Sequence, residues 1–223
     1  KVFSFYFDPD SVACTESLKQ QSQTDVSSWH VERGSVLDGE SLESLGTFDI
    51  VYSWGVLHHT GAMWEAIERA AARVAPGGQL WIALYNDQGA WSRVWTAVKQ
   101  WYNQAPRWMR PLIVWLVGIP WMASRGVSKL TAILLEGLFR LLSGQNPFAG
   151  GPRRSSAFAS QKARGMHWYY DLVDWIGGFP FEVAKPGEVL DFLHARGFVL
   201  NRLTTCGGNL GCNEFVFRKL DAA

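Results

Sequence analysis

Two adjacent histidines, His58 and His59, stand in a polar loop between an apolar run and a helix-type repeat, which makes them candidates for chemistry. An imidazole group titrates near neutral pH and can take a proton from a hydroxyl group. We rank His59 first and His58 second as a general base. The alternative interpretation is that one imidazole packs against the following helix and hydrogen-bonds to the backbone.

The flanking sequence indicates how this loop is positioned. Residues 48–52 are a β-rich run, and residues 80–84 are a second apolar run that follows Pro76-Gly77-Gly78. Between them, residues 63–74 carry apolar side chains at helical spacing, namely Trp64, Ile67, Ala71 and Val74. Two strands joined through a helix are expected to be parallel, and ligands bind beyond the carboxyl ends of such strands. Tyr85 and Asn86 follow the second strand, so we expect them to contact a substrate, a simple turn being the alternative.

The same alternation of strand and helix continues at both ends of the chain. Asp8-Pro9 is a helix-start signal, and Gly197 is a helix-stop signal. We predict strands over residues 1–7, 29–33, 198–203 and 213–217, and helices over residues 12–20 and 186–196. Alternating elements of this kind predict an α/β sheet that is covered by helices on both faces.

Residues 88–182 break the alternation and contain eight of the twelve tryptophans. We predict a helical cap inserted into a core of residues 1–87 and 183–223, with an amphipathic helix over 130–141 and a loop over 145–156. The uncharged run 111–124 is shorter than the ~20 residues that span a bilayer, which favours a buried lid helix over contact with a membrane surface. Residues 168–174 mix aromatic rings with carboxylates, and we expect Trp168 and Asp171, with His167 beside them, to line a substrate wall; ordinary packing is the alternative. His167 is also an alternative candidate for the base.

Composition excludes several functional classes. The chain has 223 residues, 48% apolar content and a formal charge of +1, which predicts a sizeable core and no general attraction to nucleic acid. Cys14, Cys206 and Cys212 form no CxxC pair, so we expect free thiols in a reducing compartment, no metal site and a cytoplasmic protein. The first residues do not have the pattern of a signal peptide.

Four stretches together resemble the class I S-adenosylmethionine-dependent methyltransferases, specifically the small-molecule branch with the quinone and polyketide methylases: FSFYFDPDSVA, VERGSVLD, FDIVYSWGVLHHT and APGGQLWIALYND. The resemblance implies a Rossmann-like, doubly wound and mostly parallel sheet with an antiparallel last strand, and S-adenosylmethionine as cofactor. The first strand of that family and its glycine-rich loop have no counterpart in this sequence. We therefore expect an N-terminally incomplete domain that is inactive as a fragment.

The resemblance also implies roles for particular residues. The family usually ends its second strand with an acidic residue that binds the ribose hydroxyls; Tyr6 holds that place here, and Asp8 is two residues further on. A carboxylate suits a vicinal diol because it offers paired acceptors. By position, the cofactor would be held near the ribose and adenine by Tyr6, Phe7 and Asp8, at the adenine edge by Ser35 and Val36, and beside the sulfonium by Ser53, Trp54 and Gly55.

The predicted function is methyl transfer to a small, partly apolar acceptor, most simply at oxygen, with carbon and nitrogen acceptors left open. One alternative is a degenerate, non-catalytic member that binds a ligand through the tryptophan-rich cap, which the tyrosine at position 6 favours. Another alternative is a dinucleotide-dependent oxidoreductase, although the sequence has no GxGxxG motif. The expected partner is a small molecule, with no nucleic acid and no transmembrane segment.

Overall fold

A computed structural model of the chain describes residues 1–22, 28–123, 167–208 and 210–221. These residues belong to two compact units: the sheet unit, residues 1–92 and 180–223, and the helical unit, residues 93–179. The predicted helix over 130–141 and the predicted loop over 145–156 lie outside the described residues.

The sheet unit contains two sheets. In chain order its main elements are β1 (Val2–Tyr6), α1 (Pro9–Gln21), β2 (Trp29–Arg33), α2 (Gly39–Ser44), β3 (Phe48–Trp54), a 3₁₀ turn (Leu57–His59), α3 (Met63–Ala72) and β4 (Val74–Tyr85). The helical unit follows with α4 (Ala90–Gln104), which begins just before it, α5 (Arg110–Ile113), a π turn (Val114–Gly118) and α6 (Trp168–Gly177). The chain then returns to the sheet unit with α7 (Pro186–His194), β5 (Phe198–Thr204) and β6 (Cys212–Lys219).

Strand directions confirm the fold class that the sequence predicts. β1 and β2 pair in parallel in one sheet, and the second sheet has the order β3-β4-β6-β5. β3 and β4 pair in parallel, whereas β6 is antiparallel to both of its neighbours. The resemblance places a further strand between β1 and β3, and in the structure these two strands belong to separate sheets.

The prediction for β4 was wrong at its amino end. The strand begins at Val74 rather than residue 80, and α3 ends at Ala72. β4 contains a bulge, because its register with β3 shifts between the pair Phe48 and Val74 and the pair Ile50 and Gln79. Gly78 is required in this bulge, since a Cβ there would lie 2.9 Å from the carbonyl oxygens of Ala75 and Asp49.

The core of the sheet unit lies on one face of the four-stranded sheet. Side chains of β4 and β6 pack there against α3 and α7, with fully buried residues that include Leu80, Ile82, Ile67, Val189 and Phe217. The alternation along β3 puts Val51 against this core and leaves Ile50 and Tyr52 exposed on the other face. The parallel pair β3 and β4 is thereby fixed with both carboxyl ends at the same edge.

The helical unit has its own apolar core, in which Tyr102, Ile113, Val114, Leu172 and Ile176 are buried. The π turn and α6 approach closely, because a Cβ at Gly118 would lie 2.6 Å from the Leu172 side chain. Among the described residues, none of the helices combines the length and apolar character needed to cross a membrane.

A lysine lies within a group of tryptophans in this unit. The Lys99 side chain is fully buried; its Nζ donates to the carbonyl oxygen of Trp175 and lies 4.1 Å from the centre of the Trp175 ring. Trp95 and Trp121 complete the group, with ring centres 5.2 Å apart. Burial lowers the pKa of Lys99 from 10.5 to about 8, while the carboxylate of Asp174 acts in the opposite direction.

We therefore expect Lys99→Met to stabilise the protein at pH 7. The unfolded chain holds the lysine proton up to pH 10.5, whereas the folded state releases it near pH 8. The wild type should thus gain up to about 3 kcal/mol of unfolding free energy as pH rises through this window, and the advantage of Lys99→Met should shrink. Urea unfolding at several pH values measures the unfolding free energy of the wild type and of Lys99→Met, and hence the difference between them. Lys185→Met, at an exposed position, is the control; a pH-independent advantage of Lys99→Met would contradict the account.

Candidate active site at the carboxyl ends of the strands

His58 is fully buried directly beyond β3. Its Nδ1 accepts a hydrogen bond of 3.3 Å from the backbone N–H of Tyr85, and the two rings lie 3.9 Å apart between centres. Because Nδ1 is an acceptor here, the proton of the neutral ring belongs on Nε2. His58 therefore joins the carboxyl ends of β3 and β4.

His59 has the opposite tautomer and is only half-buried. Its Nδ1 lies 2.7 Å from the carbonyl oxygen of Pro180. A carbonyl oxygen can only accept, so Nδ1 carries the hydrogen and the neutral ring has its basic lone pair on Nε2. This arrangement fixes the ring and suits a general base.

A short stretch of chain, the 180–184 segment, holds this histidine loop in place. The N–H of Glu182 donates to the carbonyl oxygen of His58 at 3.0 Å, and both carboxylate oxygens of Glu182 lie 3.1 Å from the N–H of Met63. Glu182 thus caps α3, whose own N-cap residue, Ala62, makes no side-chain cap. Ala184 donates to Tyr85 and accepts from Asp87, which aligns the segment with the end of β4.

Asn86 lies in a buried polar network rather than at an open surface. Its Oδ1 accepts from Nδ2 of Asn213 at 2.9 Å, and Oδ1 of Asn213 accepts from the N–H of Cys206 at 3.2 Å. The network ties β4 to the loop between β5 and β6. Asn86 was predicted to contact substrate, and these bonds give its amide a structural role at that edge of the sheet.

The tip of β1 brings together the first group of predicted cofactor residues. Phe7 is exposed, and its carbonyl oxygen accepts from Nε of Arg33 at 3.1 Å. Asp8 caps α1, because its Oδ2 accepts from the N–H and the hydroxyl of Ser11 at 2.9 and 2.8 Å. These bonds lower the pKa of Asp8, which keeps an ionised, exposed carboxylate two residues beyond Tyr6.

The loop beyond β2 lies against the core of the four-stranded sheet. Val36 and Leu37 pack on that core, and the hydroxyl of Ser35 accepts from the N–H of Leu37 at 3.2 Å. Arg73 at the end of α3 donates to the carbonyl oxygen of Leu42 at 3.2 Å. The adenine-edge candidates Ser35 and Val36 are therefore attached to the same body as the histidine loop.

The third group of cofactor candidates ends β3. Trp54 is exposed, and its ring stacks with that of Tyr52 at 5.6 Å between centres. Gly55 has a φ of 76°, which favours glycine, and its N–H donates to the carbonyl oxygen of Ala83 at 3.2 Å. Ser53, between the two rings in sequence, is half-buried.

His167, Trp168 and Asp171 lie at the start of α6 in the helical unit. His167 is the N-cap residue, and its Nδ1 accepts from the N–H of Tyr169 at 3.3 Å. Trp168 is exposed, and Asp171 stands in the first turn, where its carboxylate suits the helix dipole. Their role in substrate binding stays a prediction.

The residues at the strand tips fit an adenosyl cofactor in chemical type. An ionised carboxylate at Asp8 suits a ribose diol, the exposed rings of Phe7 and Trp54 suit a purine or a sulfonium, and Ser35 contributes a hydroxyl. The described residues contain no group of three histidine, cysteine or acidic side chains that could hold a metal ion.

Comparisons with known proteins point to the same class. Residues 3–80 match the family model described as a methyltransferase domain. This match agrees with the class I S-adenosylmethionine-dependent methyltransferases that the sequence resembles. None of the curated protein sequences gives a significant match.

Solved structures show the fold. A protein named PKMT2 from Rickettsia typhi, solved in complex with AdoHcy, superposes with a TM-score of 0.53 at 9% identity; the match covers 99% of this chain and 44% of that one. An O-methyltransferase family protein from Burkholderia thailandensis gives a TM-score of 0.47 at 13% identity, with coverages of 99% and 43%. Magnesium protoporphyrin IX methyltransferase from Synechocystis PCC 6803, with bound SAH, gives 0.45 at 10%, with coverages of 98% and 64%. The chain thus spans less than two thirds of each of these proteins.

Cys212, which ends the loop near this edge, should be a poor nucleophile. No disulfide bond joins the three cysteines; burial, with the nearby Cys206 and Glu214, raises the pKa of the Cys212 thiol from 9.0 to about 12. At pH 8.5 this leaves about a thousandfold less thiolate than an ordinary thiol has.

We expect iodoacetamide to label the exposed Cys14 first and Cys212 last in the native chain, and peptide mass spectrometry measures the order. Rapid labelling of Cys212 without unfolding would contradict this assignment.

Proposed function

We propose that this protein transfers a methyl group from S-adenosylmethionine to a hydroxyl oxygen of a small, partly apolar acceptor. The observation that carries the proposal is the fixed tautomer of His59, with its basic Nε2 at the carboxyl end of the parallel pair β3 and β4. The relationship to methyltransferases supports the cofactor, and the ends of the strands are where an α/β sheet binds its ligands. A cytoplasmic location stays part of this proposal.

The strand tips would hold the cofactor. Asp8 accepts hydrogen bonds from the ribose, Phe7 and Tyr6 give aromatic surface beside it, and Ser35 with Val36 borders the adenine. Ser53, Trp54 and Gly55 border the methyl-bearing sulfonium, which an indole ring favours as it favours other cations. When bound, the cofactor would supply an activated methyl group, which passes to an in-line nucleophile while S-adenosylhomocysteine leaves.

His59 prepares the acceptor. Its Nε2 receives the proton of the acceptor hydroxyl, and the Nδ1–H bond to Pro180 stabilises the imidazolium that results. His58 keeps the loop in register through Tyr85, so that the base is positioned by backbone contacts. Tyr85 and Asn86 at the end of β4, with His167, Trp168 and Asp171 of the helical unit, are proposed to contact the acceptor.

A non-catalytic binding module is the second candidate. The observation in its favour is that Tyr6 stands where the family usually has an acidic residue that binds the ribose. In addition, the Oδ2 atom of the nearby Asp8 already accepts the hydrogen bonds that cap α1. Both features reduce what the tip of β1 can offer to a ribose.

Calorimetric titration of the full-length protein separates these candidates. Heat on addition of S-adenosylmethionine, together with S-adenosylhomocysteine release in the presence of small hydroxylated aromatic compounds, is the result expected for the enzyme. Binding without release favours the non-catalytic module. The absence of both heat and a thermal shift, or heat with NAD(P) instead, would overturn the cofactor assignment.

His59→Ala should lower kcat about a hundredfold, the usual contribution of a general base, and leave the Kd for S-adenosylmethionine within about twofold. Turnover and calorimetry measure the two quantities. His30→Ala removes an exposed imidazole from β2 and is the control. Unchanged turnover in His59→Ala would remove this residue from the mechanism.

Tyr6→Asp should tighten cofactor binding about fivefold, because a second carboxylate oxygen pair at the end of β1 would accept from the ribose hydroxyls. The Kd from calorimetry tests this. Tyr170→Asp, at an exposed site in the helical unit, controls for the added charge. A Tyr6→Asp variant with equal or weaker affinity would show that the tip of β1 does not face the ribose.

A further inference from the structure

The helix that runs through α5 and the π turn is apolar on both sides. Ile113, Val114 and Gly118 face the core of the helical unit and are buried. The opposite side presents Leu112, Trp115 and Leu116, each more than half exposed. A helix that is apolar all round is normally buried on every side, either in protein or in lipid.

An exposed basic residue and an exposed tryptophan precede this helix. Arg107 is exposed, and Trp108 beside it is 76% exposed. Arg110 lies on the side of the core instead, where it lines a groove of about 280 Å³ with Tyr102 and Val114. Its Nε donates to the carbonyl oxygen of Ala105 at 3.1 Å, and its Nη2 donates to that of Asn103 at 3.1 Å.

The sequence around this surface carries charge of one sign. From residue 88 to residue 123 the chain has three arginines and one lysine, and it has no aspartate or glutamate. Helices that lie in a membrane interface typically expose tryptophan and leucine beside arginine and lack acidic groups there. Tryptophan and tyrosine favour the headgroup level, and guanidinium groups bind lipid phosphates.

We propose that the interfacial surface, defined as Arg107, Trp108, Leu112, Trp115 and Leu116, binds the surface of an anionic lipid bilayer. Leu112, Trp115 and Leu116 enter the interface, and Arg107 contacts phosphates. The surface lies on the bilayer rather than across it. Such binding would place the helical unit where a partly apolar molecule dissolves, and it does not depend on the proposed methyl transfer.

Vesicle flotation of the protein tests the proposal. Vesicles of phosphatidylcholine alone and of phosphatidylcholine mixed with phosphatidylglycerol are the probes. We expect binding to the mixed vesicles that weakens as salt is added, because salt screens Arg107. Leu116→Gln should reduce partitioning about fivefold on both vesicle types, since one aliphatic side chain no longer leaves water.

Two further variants make the test specific. Ile50→Gln is the matched control, because Ile50 on β3 is 60% exposed and Leu116 is 61% exposed. It should bind vesicles as the wild type does. Arg107→Gln should weaken binding to the mixed vesicles about fivefold and leave binding to neutral vesicles unchanged.

Several results would overturn the proposal. One is no binding of the wild type to either vesicle type, and another is equal loss of binding in Leu116→Gln and Ile50→Gln. Light scattering that shows a dimer of the wild type and a monomer of Leu116→Gln, without vesicle binding, would assign the surface to a second copy. A lower unfolding midpoint for Leu116→Gln, again without vesicle binding, would assign it to contact within the chain. Leu112→Gln repeats the test at a second position.

Discussion

The candidate site depends on the hydrogen bonds that the 180–184 segment makes to the loop between β3 and α3. Pro180 accepts from His59, Glu182 donates to His58 and caps α3, and Ala184 pairs with Tyr85. Each of these bonds joins positions about 100 or more residues apart in the chain. Without them, the imidazole of His59 would have no fixed tautomer, and α3 would begin without a cap. The segment therefore sets the geometry in which a base can act.

The buried polar pairs next to this segment have the same effect on β4. Asn86 and Asn213 bind each other in a place where an amide without a partner would be costly. Their bond fixes the end of β4 against the loop that leads into β6. The edge of the sheet that would receive ligands is thus rigid on the side of β4, while exposed rings of Phe7 and Trp54 stand at the tips of β1 and β3.

Local patterns in the sequence were sufficient to predict most of the fold. The predicted bounds of β2 agree with the structure, and the predicted antiparallel direction of β6 is correct. Such features are predictable because the repeats of strands and helices, and the Gly and Pro residues that end them, depend only on residues that are close in the sequence. The bulge in β4 was missed, because Pro76-Gly77-Gly78 also reads as the end of a helix. The Asp8-Pro9 signal predicted α1, although the role of Asp8 as its cap also competes with ribose binding.

The site was less accessible to prediction, because its contacts are long-range. The sequence indicates the histidine pair and Tyr85, but it carries no sign that Glu182 caps α3 or that Asn213 binds Asn86. It also leaves open which histidine is buried; the structure assigns the contact with β4 to His58. Lys99 among tryptophans and the exposed apolar side of the π turn likewise follow from packing, which spacing alone does not determine.

The central claim is that the tips of β1, β2 and β3 bind one nucleoside. Amide chemical-shift mapping of the isotopically labelled protein with S-adenosylhomocysteine tests this claim most directly. The account predicts that the largest shifts fall on Phe7, Val36 and Gly55, with little change at the opposite ends of the same strands. Shifts confined to those opposite ends, or to the helical unit alone, would contradict it.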